Sequence, residues 1–362
     1  MNFYNSNPQS PKSPKRNSKL IEVYTDNFIQ EIKNLSSHLE QYNYIGMDTE
    51  FPGIVYKLDS YSNDFYYKSI RKNVNNLKII QLGITLSNSK GEHPQNIITW
   101  QFNFHFDISV DKFSNESISL LINSGINFNI LKTKGIPHNL FAEYFITSGL
   151  LLDQNIHWIS YHGVSDFAYL LKLALNCNLP NEEKDFIDLL QFYFPSFYDI
   201  RILINEKEQY KGGLNKLIQC LNIERNGDVH QAGSDSFVTA EAFFDLINKG
   251  ILTIDEIKDY ENILYGVGEG EDNNETISYV TFSNGCNLIN NSVNNKNNIN
   301  NNNNNLLSQT ALDVNTPIYI PNIGFTKKHS SSGNVQYPLM NQMMVNNMGN
   351  NMIFGYNNNF IS

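Results

Sequence analysis

The chain has 362 residues, 41% of them hydrophobic, with 23 Phe and 20 Tyr, enough apolar side chain for a large core. Its formal net charge of −10 argues against a non-specific nucleic-acid binder, which carries a basic face, although an enzyme that gathers cations in an acidic cleft escapes that objection. Three cysteines (Cys177, Cys220 and Cys286) form neither a disulfide framework nor a zinc site, no apolar run is long enough for a membrane span, and the N-terminus lacks an apolar signal core, so a soluble intracellular protein is expected. Residues 1–18 are polar and read as a solvated tail. Thr25 is placed to cap a helix with apolar positions Phe28, Ile32, Leu35 and Leu39. Tyr44–Met47 reads as a short strand buried on both faces. A helix over Tyr66–Val74 follows, then strands over Leu77–Leu86 and Ile97–Phe104. The strands from Tyr44 to Phe104 are expected to form a meander at one side of a sheet.

Short helices at Ser117–Asn123 and Asn139–Ser148 lead to a buried strand at His157–His162, which passes through Gly163-Val164-Ser165 to Asp166 and a further helix. A helix over Glu182–Phe194 and a short strand over Phe197–Ile200 come next. Leu214, Leu217, Ile218 and Leu221 fall at the spacing of an amphipathic helix. Helices over Ser234–Asn248 and Thr253–Tyr265 close the pattern. Strands first, then strands interleaved with helices, indicate an α/β fold with a mixed sheet covered by helices, which binds ligands beside strand ends. The apolar periodicity stops near residue 270, where Asn-rich runs (Asn290–Asn305) and a Met/Asn stretch (Met340–Met352) begin. A single folded domain over 19–268 is therefore expected between disordered tails at 1–18 and 269–362.

Asp48 and Glu50 lie two positions apart at the end of the first buried strand. Side chains alternate along a strand, so the two carboxylates point the same way. Two like charges there repel and lose solvation, and become tolerable together when a cation sits between them. The oxygen-rich pair suits Mg²⁺ or Mn²⁺ better than zinc. Asp166 at a strand-to-helix junction, and Asp235 in His230-Gln231-Ala232-Gly233-Ser234-Asp235, each read alone as a helix-initiating cap. His230 alone reads as a structural histidine. Together, an acid pair on the first strand, an acid at a later strand end and His-x4-Asp entering a late helix make the signature of the DEDD exonucleases, histidine subclass. Two divalent ions clamp a scissile phosphate in that chemistry, and a histidine of near-neutral pKa takes the proton from the attacking water.

The chain resembles the Caf/Pop-type catalytic deadenylase subunits of the Ccr–Not complex over residues 20–268. The matching stretches are Met47-Asp48-Thr49-Glu50-Phe51-Pro52-Gly53, Leu77-Lys78-Ile79-Ile80-Gln81-Leu82-Gly83, Thr99-Trp100-Gln101-Phe102-Asn103-Phe104, Lys211-Gly212-Gly213-Leu214 and His230-Gln231-Ala232-Gly233-Ser234-Asp235-Ser236. The resemblance implies an RNase H-like fold and 3′→5′ hydrolysis of mRNA poly(A) tails to AMP. It implies two divalent cations (Mg²⁺ or Mn²⁺) held by Asp48, Glu50, Asp166 and Asp235, with His230 as general base. Partners implied are poly(A) RNA, the Not scaffold and a second nuclease subunit, in cytoplasm and nucleus, with no membrane. The 3′ adenosine is expected near Phe51, where core packing is the equal alternative, and Lys211 either meets a backbone phosphate or is a solvated loop lysine. Two departures stand out. His162-Gly163-Val164-Ser165-Asp166 replaces the usual His-Ser-Gly-Tyr-Asp, and Tyr56-Lys57-Leu58 replaces a small-residue, Arg-Pro sequence. The first keeps the metal ligand but loses the aromatic beside it, which supports an alternative reading as a catalytically weak bridging subunit. A DNA 3′-exonuclease of the same superfamily is a third reading.

Overall fold

Polar or small residues alternate with large apolar ones in Gln81-Leu82-Gly83-Ile84-Thr85-Leu86 and in Thr99-Trp100-Gln101-Phe102-Asn103, so each strand presents two unlike faces. The computed structural model, which describes residues 20–58, 65–225 and 227–267, pairs them in register, Gly83 opposite Gln101 and Ile84 opposite Trp100. All of these residues belong to the first of two units of the chain, Met1–Ile323. The two expected tails and Cys286 lie outside the described residues.

The first half of the chain forms β1 (Leu20–Val23), α1 (Phe28–Ser36), β2 (Tyr44–Glu50), α2 (Phe65–Asn76), β3 (Gln81–Ser87) and β4 (Thr99–Asn103). Helices α3 (Asn115–Asn123), α4 (Phe128–Lys134) and α5 (His138–Thr147) follow, then β5 (His157–Ser160), α6 (Val164–Leu175), α7 (Glu183–Tyr193) and β6 (Phe197–Asp199). The described chain closes with α8 (Ile200–Leu203), α9 (Leu214–Leu221), α10 (Ala232–Asn248) and α11 (Ile254–Asp259). The six strands make one mixed sheet in the order β1-β4-β3-β2-β5-β6. The expected meander is present, since β2, β3 and β4 pair antiparallel, while β5 joins β2 and β6 joins β5 in parallel. Among the described residues, no helix is long and apolar enough to cross a membrane.

The main core fills one face of the sheet. Met47, Leu82, Ile84, Trp100 and Phe102 pack there against Phe28 of α1, Phe141 of α5 and Phe167 of α6. The Phe28, Phe102 and Phe141 rings contact one another edge-on or tilted, with the Phe102–Phe141 centroids 5.4 Å apart. The other face belongs to α10. Gly46, Asp48 and Glu50 share that face with Gln81, Gly83 and Gln101, so the two carboxylates point the same way as expected, after the buried run Ile45-Gly46-Met47.

Several expected boundaries move. Thr25 does not cap α1: its hydroxyl donates to the Gly135 carbonyl, and the helix starts after Asn27. Strand β3 begins at Gln81 rather than Leu77, because the Leu77 N–H still closes the last turn of α2 on Asn73. Strand β5 stops at Ser160, since His162 takes φ +60°, outside the strand region. The last helix runs only to Asp259, started by a capping box between Thr253 and Glu256. Three elements were not anticipated, among them α8, whose Ile200 was expected to end the preceding strand. The four-residue β1 is too short to show periodicity, and α4 is announced only by Asn127, whose side chain accepts the N–H groups of Asn129 and Ile130.

Candidate active site

Two glycines let α10 lie directly on the sheet. A Cβ at Gly83 would sit 1.9 Å from the Ala232 carbonyl oxygen, and one at Gly46 would sit 2.7 Å from that of Ser236. The first turn of a helix leaves N–H groups without intrahelical partners. In α10 the sheet supplies them. The Gln101 side-chain oxygen accepts the Gly233 N–H at 2.8 Å, and that of Gln81 accepts the Ala232 N–H at 3.3 Å. The Gln231 side-chain oxygen accepts from Gln81 and Gln101 at 3.1 and 3.0 Å, and Glu22 of β1 accepts from Gln101 and Asn103. This amide network fixes the start of α10 and thereby delivers Asp235 to the end of β2.

Asp235 is held from two sides. Its Oδ2 accepts the His230 N–H at 3.0 Å, and its Oδ1 pairs with the Arg225 guanidinium. Arg225 also donates to Ser234 Oγ at 3.1 Å and to Asn215 Oδ1 at 2.8 Å. His230 itself has φ +63°, an uncommon conformation for a side chain of this size, and its carbonyl accepts the Ser124 hydroxyl at 2.9 Å. Among the described residues, Glu50, His230 and Asp235 form one cluster able to hold a metal ion, each offering one donor atom, all within 4.8 Å of one another.

Asp166 arrives from the opposite face, in the first turn of α6. It does not act as a simple cap. Its Oδ1 accepts both the Thr49 N–H at 3.0 Å and the Thr49 hydroxyl at 2.5 Å, which ties α6 to β2 between Asp48 and Glu50. The turn that presents it is set by buried Asp199, whose carboxylate accepts the N–H groups of His162, Gly163, Arg201 and Tyr265. Val164 is buried and Ser165 half-buried, and the altered loop leaves Asp166 in place. The start of α6 on one face and of α10 on the other therefore bracket the end of β2.

Burial and mutual repulsion dominate the electrostatics. Burial pushes the Asp48 carboxyl well above its usual range, and the Asp235, Asp166 and Glu50 carboxylates push it further, against a smaller opposing effect of Arg225. Glu50 is raised to about 8 by burial and by Asp235 and Asp166. Asp166 is raised to about 6 by burial, which outweighs its bonds from Thr49. Three acids that resist ionising together, beside a fourth and an imidazole, form a donor set that fits hard divalent cations.

The sequence reading therefore named residues that do converge. It missed Thr49, Arg225, Asn215 and the amide network. Thr49 lies inside the quoted motif, whereas nothing in the spacing of Asn215 and Arg225 marks them. Of the two secondary expectations, Phe51 is half-buried and stacks on Tyr169, centroids 5.2 Å apart, which fits the packing alternative, and the Lys211 ammonium pairs with exposed Glu208.

A six-stranded mixed sheet with acids gathered at the end of an inner strand is the RNase H-like arrangement. A model of the CAF1 family ribonucleases matches residues 23–143. The chain is 40% identical over 259 residues to the probable CCR4-associated factor 1 homolog 7 of Arabidopsis thaliana, covering 69% of this chain and 94% of that protein. It is 41% identical over 232 residues to the poly(A) ribonuclease pop2 of Schizosaccharomyces pombe, covering 63% and 69%. Among solved structures, S. pombe Pop2p in its Mg²⁺- and Mn²⁺-bound form matches with a TM-score of 0.66 at 40% identity, over 69% of this chain and 100% of that one. CAF1 co-crystallised with the yeast NOT1 MIF4G domain matches with a TM-score of 0.61 at 30% identity, over 71% and 100%. The chain belongs to the CAF1 ribonuclease family.

Proposed function

We propose that this chain is a metal-dependent 3′→5′ exoribonuclease that shortens poly(A) tails and releases AMP, with residues 19–268 as its catalytic domain. The observation that carries this reading is the meeting of Glu50, His230 and Asp235 donor atoms at the end of β2, with Asp48 beside Glu50 on the same strand face and Asp166 reaching in from α6. The poly(A) ribonuclease name of one relative and the Mg²⁺- and Mn²⁺-bound form of another support the substrate and the ions. The NOT1 complex of a third supports docking on a Ccr–Not scaffold; association with a second nuclease subunit and residence in cytoplasm and nucleus are proposed along with it.

Asp48, Glu50, Asp166 and Asp235 would hold two divalent cations, Mg²⁺ or Mn²⁺. When bound, such ions stabilise charge on the attacking and leaving oxygens of a phosphoryl transfer. The chain's own groups do the rest. His230 accepts the proton of the attacking water on a ring nitrogen, and its backbone bonds to Asp235 and Ser124 hold the imidazole beside Glu50. Arg225 and Thr49 keep Asp235 and Asp166 aimed at β2.

Digesting oligo(A), oligo(dA) and oligo(U) side by side, with Mg²⁺ or Mn²⁺, tests the proposal. The expected result is a ladder shortening by single nucleotides, with AMP as product and oligo(A) preferred. Preference for the DNA strand, or intact RNA from folded protein, would reject it.

A further inference from the structure

The segment leaving β2 is buckled to α2 by the buried side chain of Asn73. Its Oδ1 accepts the N–H groups of Val55 and Tyr56, each at 2.8 Å, and its Nδ2 donates to the Tyr56 carbonyl at 2.9 Å. The Tyr56 ring is thus fixed within cation–π range of two ammonium groups, Lys72 at 5.9 Å and Lys112 at 5.2 Å from its centroid. Lys112 also donates to the Tyr56 hydroxyl, and Lys72 to the Lys57 carbonyl. Lys72 further lines a cleft of about 710 Å³ with Lys68, Arg71 and four asparagines; among the described residues Leu58 is its one apolar wall residue and Glu182 its one acid. In a chain of net charge −10, four cations (Lys68, Arg71, Lys72 and Lys112) therefore gather along one stretch, with exposed Lys57 near Glu116 and with Glu182, Glu183 and Asp185 close to Arg71 among the described residues.

We propose that this surface carries the sugar–phosphate backbone of single-stranded RNA upstream of the 3′ end held at the acidic centre. The inference rests on the exoribonuclease reading above. Charge decides the class of ligand: a polyanion whose last phosphate lies among carboxylates must leave the site across groups of the opposite sign. Position decides the direction. Tyr56 follows Glu50 by six residues, at most ~20 Å of extended chain, so the patch lies within reach of a few nucleotides. Among the described residues the cleft is lined by ammonium, guanidinium and amide groups with a single apolar side chain, Leu58, a lining that suits a charged ligand better than an apolar one. A rigid aromatic flanked by cations also suits a single strand, whose bases stack without regard to sequence.

The test is fluorescence anisotropy of 5′-labelled oligo(A) of roughly 20 nucleotides, on Asp48→Asn protein so that the RNA survives, across a salt series. Lys72→Glu with Lys112→Glu is expected to weaken binding about tenfold and to flatten the log–log salt slope by about 2. The Lys72→Arg, Lys112→Arg pair is expected to keep the parent affinity. Should the charge-reversed pair fail to fold, Lys57→Glu at an exposed position must still weaken binding about threefold. Unchanged affinity in these variants, while wild type digests oligo(A), overturns the patch and leaves the nuclease reading standing. Binding of an acidic peptide that the charge reversals abolish, while oligo(A) affinity is unchanged by them, overturns it in favour of protein docking. Wild type that does not digest oligo(A) removes both.

Discussion

Glu50 is raised from its usual 4.5 to about 8 by burial and by the carboxylates of Asp235 and Asp166. Metal-free folded protein therefore holds a proton that the unfolded chain releases across that window. The folded state binds more protons there, so stability falls as pH rises from about 4.5 to about 8. Melting of EDTA-treated protein across this range should show that decline, and Mg²⁺ or Mn²⁺ should flatten it. A melting temperature that rises with pH would contradict the repulsion account. Asp48→Asn removes one repelling charge and should raise the metal-free melting temperature by about 2–4 °C near pH 8, where a loss of several degrees would count against it. His230→Ala should lower the rate by about 10²–10⁴-fold while metal affinity is retained. If calorimetry instead shows metal binding lost, His230 is an ion ligand, a role its distance from Glu50 and Asp235 permits. That Glu50, His230 and Asp235 would meet was legible in the sequence, because acids and a histidine at the ends of elements formed one recognisable pattern. Arg225 was not, because its pairing with Asp235 exists only once the loop before α10 has folded back.

Helix α10 is the element on which the site depends. Its apolar positions announced a helix, yet its seat on β3 is set by an absence, the missing Cβ of Gly83 against the Ala232 carbonyl. Gly83→Ala should destabilise the protein by about 3 kcal/mol and shift Asp235 away from Glu50, so that activity falls more than unfolding alone explains. A soluble variant with normal urea stability and full activity would show that α10 can dock without that close approach. Helix α9 was legible because Leu214, Leu217, Ile218 and Leu221 mark one clean face. Strand β1 was invisible: four residues carry no periodicity, and its role lies in Glu22, which bonds to side chains of β4 about 80 positions along.

Over the described residues, the sheet separates two tasks. One face is apolar and builds the main core; the other is small and polar along β2, β3 and β4, where it receives the start of α10 with Asp235, and apolar at β5 and β6, where Ile159 and Tyr198 pack with Phe243. Alternation in β3 and β4 already encoded this division, while the wholly apolar start of β2 concealed it. The cost of crowding carboxylates at the end of an inner strand falls on the metal-free molecule. Divalent cations should therefore raise its melting temperature in proportion to the logarithm of their concentration.

The central claim is tested most directly by a time course on 5′-labelled RNA ending in oligo(A), wild type beside Asp48→Asn, with Mg²⁺, Mn²⁺ or EDTA. The account predicts a ladder that requires the metal and is confined to wild type, with both proteins folded. A ladder of equal rate from Asp48→Asn, or one that persists in EDTA, would contradict it.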